Sequence, residues 1–472
     1  MSYIMNCWAC LARASAFRPA AAAGVALVLG CGSAAIAQPV VPPGFSQTTI
    51  ASGLSSATSL TQTPDGRALI ARQSGDLLVW KDGSLLATPM HTFAVSASGE
   101  QGLIGVTVDP AFASNGYVYV YINTAAPGSR GKLKRITVAP GSDVSTPESE
   151  VELFDLGASS GIHLGGEVQF GIDGKIYVAL GDHGNGANSQ SMTSIFGKIL
   201  RLNADGTIPA DNPFYDETTG DNRAIWALGL RNPFTFAFQP GTSRMYINDV
   251  GNGTWEEVND GVAGANYGWP ATEGSFNPDL WPAFTNPIVA YPRSVGTTIV
   301  GGAFYDLPVK NFPASMNGDY FFGDFGAGWV QRLPSGSGTP EPFATGLGQA
   351  VDFGIDPSGR LLVLRRGSLV RVEFTNPVGA CCVGAACTTV LESVCISAGG
   401  VFQGIAVACA AAGEPGACCA ADFDSNGAVE VPDIFAFLSA WFAGNAAADF
   451  DGNGMVQVPD IFAFLSAWFA GC

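Results

Sequence analysis

Short apolar segments recur between about Gly44 and Phe374, and each follows a turn of the Pro/Asp-x-Gly or Asn-Gly kind. A turn followed by an apolar or alternating strand, repeated in this way, is typical of all-β proteins. Six copies over about 330 residues give a repeat of roughly 55 residues, close to the blade length of propeller repeats. The six segments are Ala68-Leu69-Ile70, Tyr117-Val118-Tyr119-Val120, Ile176-Tyr177-Val178, Met245-Tyr246-Ile247, Tyr320-Phe321-Phe322 and Leu361-Leu362-Val363. The pattern predicts a six-bladed β-propeller over residues 38–375, with a β-sandwich or barrel as the alternative.

A different pattern ends the chain, where the sequence VPDIFAFLSAWFAG occurs twice, from Val431 to Gly444 and from Val458 to Gly471. Its apolar residues have helical spacing, and Pro432 and Pro459 stand where proline begins a helix well. In the first copy we expect the helix to bury Phe435, Leu438, Trp441 and Phe442.

Each of these helices follows an acidic loop with the residue spacing of an EF-hand calcium site, and a solvated acidic turn is the alternative. The candidate calcium ligands are Asp422, Asp424, Asn426, the carbonyl of Ala428, and Asp433, and then Asp449, Asp451, Asn453, the carbonyl of Met455, and Asp460. The paired loops resemble dockerin modules, whose loops likewise end in Asp. This resemblance implies a small α-helical, dockerin-like calcium repeat over residues 421–472. Its aromatic helices suggest a protein partner, unless the two helices simply pack on each other.

Cysteines are concentrated between Cys381 and Cys472, which contain eight of the eleven. A dense, even cluster in an exported chain predicts about three or four disulfides. A zinc site is the weaker alternative, because no histidine lies in that region. We therefore expect a small disulfide-rich module over residues 376–420.

The N-terminus has the three parts of an export signal, namely the basic residues Arg13 and Arg18, the apolar stretch Ala20 to Gly30, and the small-residue cleavage site Ala35-Ile36-Ala37. We expect residues 1–37 to be removed and the chain to be exported, to a periplasmic or extracellular location. A transmembrane anchor and lipidation at Cys31 are the alternatives. No later segment is long and apolar enough to span a membrane.

The balance of charged residues bears on whether the chain binds nucleic acid. The chain has 22 Lys and Arg against 40 Asp and Glu, and its net charge is -18. An acidic surface repels nucleic acid phosphates, so we expect no nucleic acid partner.

Three residues in the repeat region suggest acid–base chemistry. The chain has only three histidines, and His163 lies among polar and Gly-rich loops, where imidazole can act as a general base. Asp182 can orient the imidazole, and Arg231 can stabilise a developing oxyanion. These residue types alone do not identify the reaction.

Several separate blocks of sequence resemble the soluble quinoprotein glucose/sorbosone dehydrogenase family, whose members are six-bladed propellers that use pyrroloquinoline quinone and calcium. The resemblance extends from about Phe45 to Phe374. Its blocks include His163-Leu164-Gly165-Gly166, Leu180-Gly181-Asp182-His183-Gly184, Leu200-Arg201-Leu202-Asn203-Ala204-Asp205-Gly206, Leu228-Gly229-Leu230-Arg231-Asn232-Pro233 and Asn248-Asp249-Val250-Gly251.

The resemblance implies a role for each matching position. It implies that His163 takes the sugar hydroxyl proton, that Asp182 supports it, and that Arg231 holds the quinone oxygens. It further implies the cofactor and calcium contacts, namely Glu100 and Asn232 beside the cofactor, and the backbone carbonyls of Gly251 and Asn252 on the cofactor's calcium.

The sequence departs from the family pattern near its last two repeats. Active members supply lysine and arginine there, whereas Gly302 to Asp306 and Gly348 to Asp352 contain none. Arg293 is a candidate to compensate. The stretch from Gly318 to Asp324 is more similar to the family branch shared with hedgehog-interacting-protein-like propellers.

The function predicted by the resemblance is oxidation of an aldose or similar sugar by bound quinone, followed by electron transfer to an acceptor that the sequence does not identify. A non-catalytic propeller that binds carbohydrate or protein is the alternative. A hydrolytic calcium propeller is a third reading.

Overall fold

The structure is a computed structural model that describes residues 40–125, 127–375, 378–383, 386–405, 407, 409, 419, 421–424, 429–450 and 455–470. The predicted signal segment, with Cys31, lies outside these residues. So do four of the predicted calcium ligands, Asn426, Ala428, Asp451 and Asn453.

Within the described part of the chain, the first twenty-five strands form six antiparallel sheets. The first strand, β1 (Phe45–Ser52), joins the last sheet. The first sheet contains β2 (Ala57–Gln62), β3 (Ala68–Arg72), β4 (Asp76–Lys81), β5 (Ser84–Leu85) and β6 (His91–Thr92). The second contains β7 (Leu103–Val108), β8 (Tyr117–Asn123), β9 (Arg130–Thr137) and β10 (Val151–Ala158). The third contains β11 (Val168–Phe170), β12 (Ile176–Leu180), β13 (Lys198–Leu202) and β14 (Ile225–Leu228).

The remaining sheets follow the same order. The fourth contains β15 (Pro233–Phe238), β16 (Met245–Asp249), β17 (Trp255–Asp260) and β18 (Val289–Pro292). The fifth contains β19 (Ile299–Phe304), β20 (Tyr320–Asp324), β21 (Val330–Leu333) and β22 (Glu341–Ala344). The sixth contains β23 (Ala350–Ile355), β24 (Leu361–Arg365) and β25 (Ser368–Phe374), on which β1 adds the outer strand. Two single-turn helices, α1 (Phe112–Asn115) and α2 (Ala187–Gln190), interrupt the strands.

The predicted repeat is the second strand of each sheet, from β3 in the first sheet to β24 in the sixth. The first strands of most neighbouring sheets contact one another: β2 meets β7, β7 meets β11, β15 meets β19, β19 meets β23, and β23 returns to β2. Between the third and fourth sheets the contact is made by β12 and β15, which completes the ring. The prediction of an all-β, propeller-like fold is therefore confirmed.

The apolar cores lie between neighbouring sheets, which explains why the second strands are apolar throughout. One core joins β8 and β9 of the second sheet to β12 and β13 of the third. Tyr119, Leu133, Ile176 and Leu200 are fully buried in it. A strand covered on both faces needs apolar side chains on both, so simple alternation is lost.

Beyond the sixth sheet, a three-stranded sheet of β26 (Val378–Val383), β27 (Ala386–Leu391) and β28 (Val401–Ile405) packs with the short helix α3 (Glu392–Ser397). Disulfides join Cys381 to Cys395 and Cys387 to Cys409. Cys382 and Cys419 are disulfide-bonded as well. The prediction of an oxidised cysteine module is confirmed for these residues.

The chain then forms α4 (Val431–Phe442) and α5 (Val458–Ala470), the two identical segments of the sequence. Phe437 and Phe464 are fully buried, and their rings stack with centroids 4.2 Å apart. The expected buried face was partly wrong: Leu438 and Trp441 pack against this core, but Phe435 and Phe442 are 66% and 78% exposed. Among the described helices, none has the length and apolar character needed to cross a membrane.

Candidate active site

The predicted site residues meet at one edge of the sheets. His163 lies before β11, Asp182 follows β12, Arg231 lies before β15, and Asp249 ends β16. In an antiparallel sheet the start of the first strand and the end of the second lie at the same edge, so these loops converge. His163 has a φ of 49°, a left-handed conformation that is uncommon for a residue with a Cβ and is frequent at functional sites.

His163, Asp182 and Arg231 form one hydrogen-bonded chain. His163 Nδ1 lies 2.6 Å from Asp182 Oδ1, and Arg231 Nη2 lies 3.0 Å from His163 Nε2. Because a guanidinium can only donate, Nε2 carries no hydrogen and accepts through its lone pair, and Nδ1 carries the hydrogen donated to Asp182. The imidazole is thus held as the neutral tautomer whose Nε2 is the basic atom.

Asp182 is almost completely buried, with 1% of its surface exposed. Burial alone would raise the pKa of Asp182, but hydrogen bonds from His163, Trp269 and the Gly184 N–H outweigh it and lower that pKa below its usual range. Trp269 Nε1 donates to Asp182 Oδ2 over 2.9 Å. The carboxylate therefore stays charged and fixes the histidine ring.

Arg231 is fixed through its backbone and its side chain. The Asp249 carboxylate accepts the N–H groups of Arg231 and Asn232 over 2.9 and 2.6 Å. Arg231 Nη1 donates to the Val250 carbonyl over 2.9 Å, and the guanidinium lies 5.7 Å from the Trp269 ring centroid. The guanidinium is therefore held between the histidine and the loop that follows β16.

The other predicted cofactor residues act on the loop of His163. Glu100 Oε2 accepts the Leu164 N–H over 3.0 Å, and Asn232 Oδ1 accepts the Gly165 N–H over 3.0 Å. Gly165 has a φ of 71°, and a Cβ built on it would lie 2.4 Å from the Ala179 carbonyl oxygen. Only glycine fits this close approach between the loop and β12.

The predicted calcium ligands of the cofactor, the carbonyls of Gly251 and Asn252, accept hydrogen bonds from Arg293 Nη2 over 2.7 and 3.3 Å. The same nitrogen lies 3.2 Å from Glu256 Oε1. The Arg293 guanidinium therefore occupies the oxygens that a calcium ion would need, and these residues as arranged do not fit calcium.

Three residues near the site were missed or left without a role by the sequence: Trp269, Arg293 as a partner of the carbonyls, and Arg366. Arg366 directly follows β24, at the same edge as Asp182, and its Nη2 donates to Gln73 Oε1 over 3.0 Å. The stretches Gly302 to Asp306 and Gly348 to Asp352 do lack cations, whereas the residue that follows the sixth repeated strand is an arginine. Aligning the residues that follow each repeated strand would have found it.

The loop between Asp182 and β13 is held by a buried lysine. Lys198 Nζ donates to the carbonyls of Asn188, Ser189 and Phe196 over 2.7, 2.9 and 2.9 Å. In the same loop the His183 ring stacks on Phe196 with centroids 3.8 Å apart. The edge that carries Asp182 is therefore rigidly supported.

In the C-terminal segment, the carboxylates of Asp422, Asp424 and Asp433 lie within 4.8 Å of one another. Asp433 Oδ1 also accepts the Asp424 N–H over 3.1 Å. Of the second loop, Asp449, Met455 and Asp460 are described, and Asp460 Oδ2 accepts the Gln457 N–H over 2.7 Å. The structure thus brings together three ligands predicted for the first loop.

Comparison with known proteins adds a family to this geometry. Residues 54–365 match the glucose / sorbosone dehydrogenase family. The aldose sugar dehydrogenase of Escherichia coli (strain K12) is 30% identical over 283 residues, which cover 58% of this chain and 73% of that protein. Quinoprotein glucose dehydrogenase B of Acinetobacter calcoaceticus is 30% identical over 281 residues, covering 53% of this chain and 57% of that protein.

Solved structures agree with this match. The crystal structure of the soluble aldose sugar dehydrogenase from Escherichia coli, in its apo form, superposes with a TM-score of 0.63 at 25% identity. The superposition covers 70% of this chain and 99% of that one.

Proposed function

The chain belongs to the glucose/sorbosone dehydrogenase family, and from that premise we propose that it oxidises a sugar hydroxyl group with bound pyrroloquinoline quinone. The observation that carries this proposal is the chain of hydrogen bonds from Arg231 through His163 to Asp182. It presents an unprotonated imidazole nitrogen beside a cation, which suits removal of a proton from an alcohol.

In this proposal His163 Nε2 exchanges its hydrogen bond from Arg231 for one from the sugar hydroxyl, and it then takes the hydroxyl proton. The buried carboxylate of Asp182 stabilises the resulting imidazolium through Nδ1. Arg231, once released, faces the oxygen on which negative charge develops. When bound, the quinone supplies the acceptor for the hydride that leaves the sugar carbon.

The residues present suit an anionic cofactor. Pyrroloquinoline quinone is a tricarboxylate and needs cationic partners. We propose that Arg231, Arg293 and Arg366 supply this charge, with Asn232 and Glu100 beside them. Arg231 and Arg293 both contact Asn252. Arg366 is joined through Gln73 to the carbonyl of Gly99, next to Glu100.

The test compares variants of the full chain in two assays, quinone affinity by absorbance titration and single-turnover reduction by sugar. We expect His163→Ala to keep quinone affinity and to slow reduction by about 10²–10⁴-fold, the usual effect of losing a positioned base. Arg231→Ala should lose both affinity and reduction, because it removes a charge partner of the cofactor.

His91→Ala is the matched control, because His91 contacts Ser145 and Glu150 rather than any site residue. A wild-type chain that neither binds nor reduces the quinone would exclude the enzyme, and a binding propeller would then replace it. An active wild type with equally fast His163→Ala would show that His163 is not the base.

For the rest of the chain we propose that the six sheets are the six blades of a propeller over residues 38–375, followed by a disulfide module over 376–420. Disulfides persist in oxidising compartments, which supports export directed by residues 1–37. We propose that residues 421–472 form a dockerin-like repeat that binds calcium and a protein partner. The proximity of Asp422, Asp424 and Asp433 supports the calcium site.

A further inference from the structure

The loop after β16 is clamped so that its N–H groups and its carbonyl groups face different partners. Glu273 Oε1 accepts four consecutive backbone N–H groups, those of Asn252, Gly253, Thr254 and Trp255, over 2.7 to 3.3 Å. Successive N–H groups converging on one carboxylate form an anion-binding nest. The carbonyl groups of Gly251 and Asn252 are then available to accept hydrogen bonds from a different partner.

That partner is Arg293. Its Nη2 lies 2.7 and 3.3 Å from the two carbonyl oxygens and 3.2 Å from the buried carboxylate of Glu256. Its Nη1 donates to the Thr297 carbonyl over 2.7 Å. Carbonyl and carboxylate oxygens that converge in this way are the ligands that calcium selects, yet here they converge on a guanidinium nitrogen.

A calcium ion and this arginine cannot share the position. Calcium requires about six to eight oxygens at about 2.3–2.6 Å, and the nitrogen already contacts the three oxygens that the loop and Glu256 offer. Arg231 Nη2 also lies 3.5 Å from the Asn252 side-chain oxygen, so two guanidinium groups contact this residue. A divalent ion at this position would therefore be repelled by both guanidinium groups.

We propose that Arg293 permanently fills the cation position formed by Gly251, Asn252 and Glu256, so that this chain holds its quinone without calcium at that position. The inference rests on the proposed function for the identity of the ligand. The Arg293 side chain is 30% exposed whereas Glu256 is fully buried. The guanidinium thus lies against the buried carboxylate, and the exposed part of the Arg293 side chain is where an anionic cofactor would meet it.

Calcium uptake tests the position independently of the quinone. Full-length wild type, Arg293→Ala, Arg293→Lys and Arg332→Ala are stripped with EGTA and titrated with calcium by calorimetry. Arg332 is the matched control, because it pairs with the buried Asp319 over 2.6 Å, before β20 and away from the site. We expect Arg293→Ala to bind one calcium ion more per chain than wild type and Arg332→Ala. Arg293→Lys retains a charge beside Glu256 and should bind no additional ion.

Quinone affinity, measured with EGTA and with millimolar calcium, completes the test. Wild type should change by less than about twofold between the two conditions. Arg293→Ala should lose about tenfold to a hundredfold in EGTA, as expected when a charge-assisted hydrogen-bonding partner is removed, and should recover with calcium.

The idea is overturned if EGTA weakens wild-type binding tenfold or more, since calcium would then displace Arg293. It is also overturned if Arg293→Ala, folded as judged by circular dichroism, binds no additional calcium. If wild type binds no quinone in either condition, the proposed function fails, and the calcium count alone then decides whether Arg293 fills a cation position.

Discussion

At the scale of single residues, the three histidines of the chain have three different environments. His91, in β6, contacts Ser145 and Glu150 in the connection between β9 and β10. His163 accepts a hydrogen bond from an arginine and donates one to a buried carboxylate, contacts that suit the proton transfer proposed for it. His183 is adjacent to Asp182, but its Nε2 is buried without a hydrogen-bond partner. The same residue type therefore has three different sets of contacts, and only His163 has those expected of the proposed base.

His183 should make stability depend on pH. Burial lowers the pKa of His183 from its ordinary value of 6.5 to about 4. Between these two pH values the unfolded chain binds the proton and the folded chain does not. The folded state therefore keeps its full stability above about pH 6.5, and the free energy of unfolding decreases as the pH falls toward 4. The loss should be roughly 2.5 kcal/mol at pH 4.5.

Urea unfolding of wild type and His183→Asn at pH 7 and pH 4.5 measures this effect. Asparagine suits the position because it tolerates the φ of 58° found there and does not titrate. On going from pH 7 to pH 4.5, wild type should lose roughly 2.5 kcal/mol more unfolding free energy than His183→Asn. Parallel losses in wild type and variant would show that His183 titrates normally.

The sequence predicted His163, Asp182 and Arg231 because each lies in a short Gly-rich block with a recognisable neighbourhood. Arg293 and Arg366 were harder to assign, because their partners are far away in sequence. Arg293 lies beyond β18 and reaches back to Gly251, and Arg366 reaches Gln73 in the first sheet. Such contacts depend on how the sheets are arranged, which local patterns do not encode.

At the scale of elements, the second strand of each sheet was predictable because its sequence is a turn followed by an apolar run. The run is apolar because neighbouring sheets cover both faces of the strand. The helices α4 and α5 were predicted, but their buried faces were only partly correct. Their sequence is apolar on nearly every side, so periodicity does not choose between Phe435 and Phe437. The stacking of Phe437 on its counterpart Phe464 makes the choice, and it requires the second copy of the helix.

Calcium removal should act on these helices. Asp433 is buried, and it accepts the Glu430 N–H over 2.8 Å at the start of α4, while its carboxylate lies beside those of Asp422 and Asp424. Three carboxylates this close repel one another unless a cation lies between them. We expect the full chain to bind about two calcium ions in this segment, and Asp433→Asn and Asp460→Asn each to lose about one.

Calorimetric titration of the full chain gives these stoichiometries, with Asp279→Asn as a control in an exposed acidic residue of the repeat region. Helical circular dichroism should fall when EGTA is added, because metal binding and folding are coupled in such modules. Unchanged stoichiometry in both Asp433→Asn and Asp460→Asn would rule out these loops as the binding sites.

At the scale of the whole molecule, the ring of sheets closes through the outer strand of the sixth sheet. The strand β1 pairs antiparallel with β25, from Phe45 opposite Phe374 to Ser52 opposite Ser368. The first described strand is thereby joined to the last strand of the repeat region. Sequence periodicity predicted the number of repeats but not this closure, because β1 precedes the first repeat and its partner lies more than three hundred residues away.

Phe45 anchors this closure and offers the sharpest test of it. Its ring contacts those of Phe312, Phe343 and Phe374 with centroid distances of 4.8, 5.2 and 4.9 Å. Phe45→Ala removes these edge-to-face contacts of a half-buried ring, which should lower the unfolding free energy by about 2 kcal/mol. Thr48→Ala, on an exposed position of the same strand, should change it by less than about 0.5 kcal/mol.

The strand β1 closes the ring of sheets and is not an addition to a free edge. Weakening its attachment in Phe45→Ala should therefore destabilise all six sheets together. We therefore expect tryptophan fluorescence and far-ultraviolet circular dichroism to report one common transition in urea for Phe45→Ala, shifted to lower urea than in wild type. Sugar oxidation, measured below that transition, should remain near the wild-type level, because Phe45 contacts no residue of the site. If the two signals separate, with only part of the β-structure lost early, the sixth sheet unfolds on its own and the ring is not a single cooperative unit.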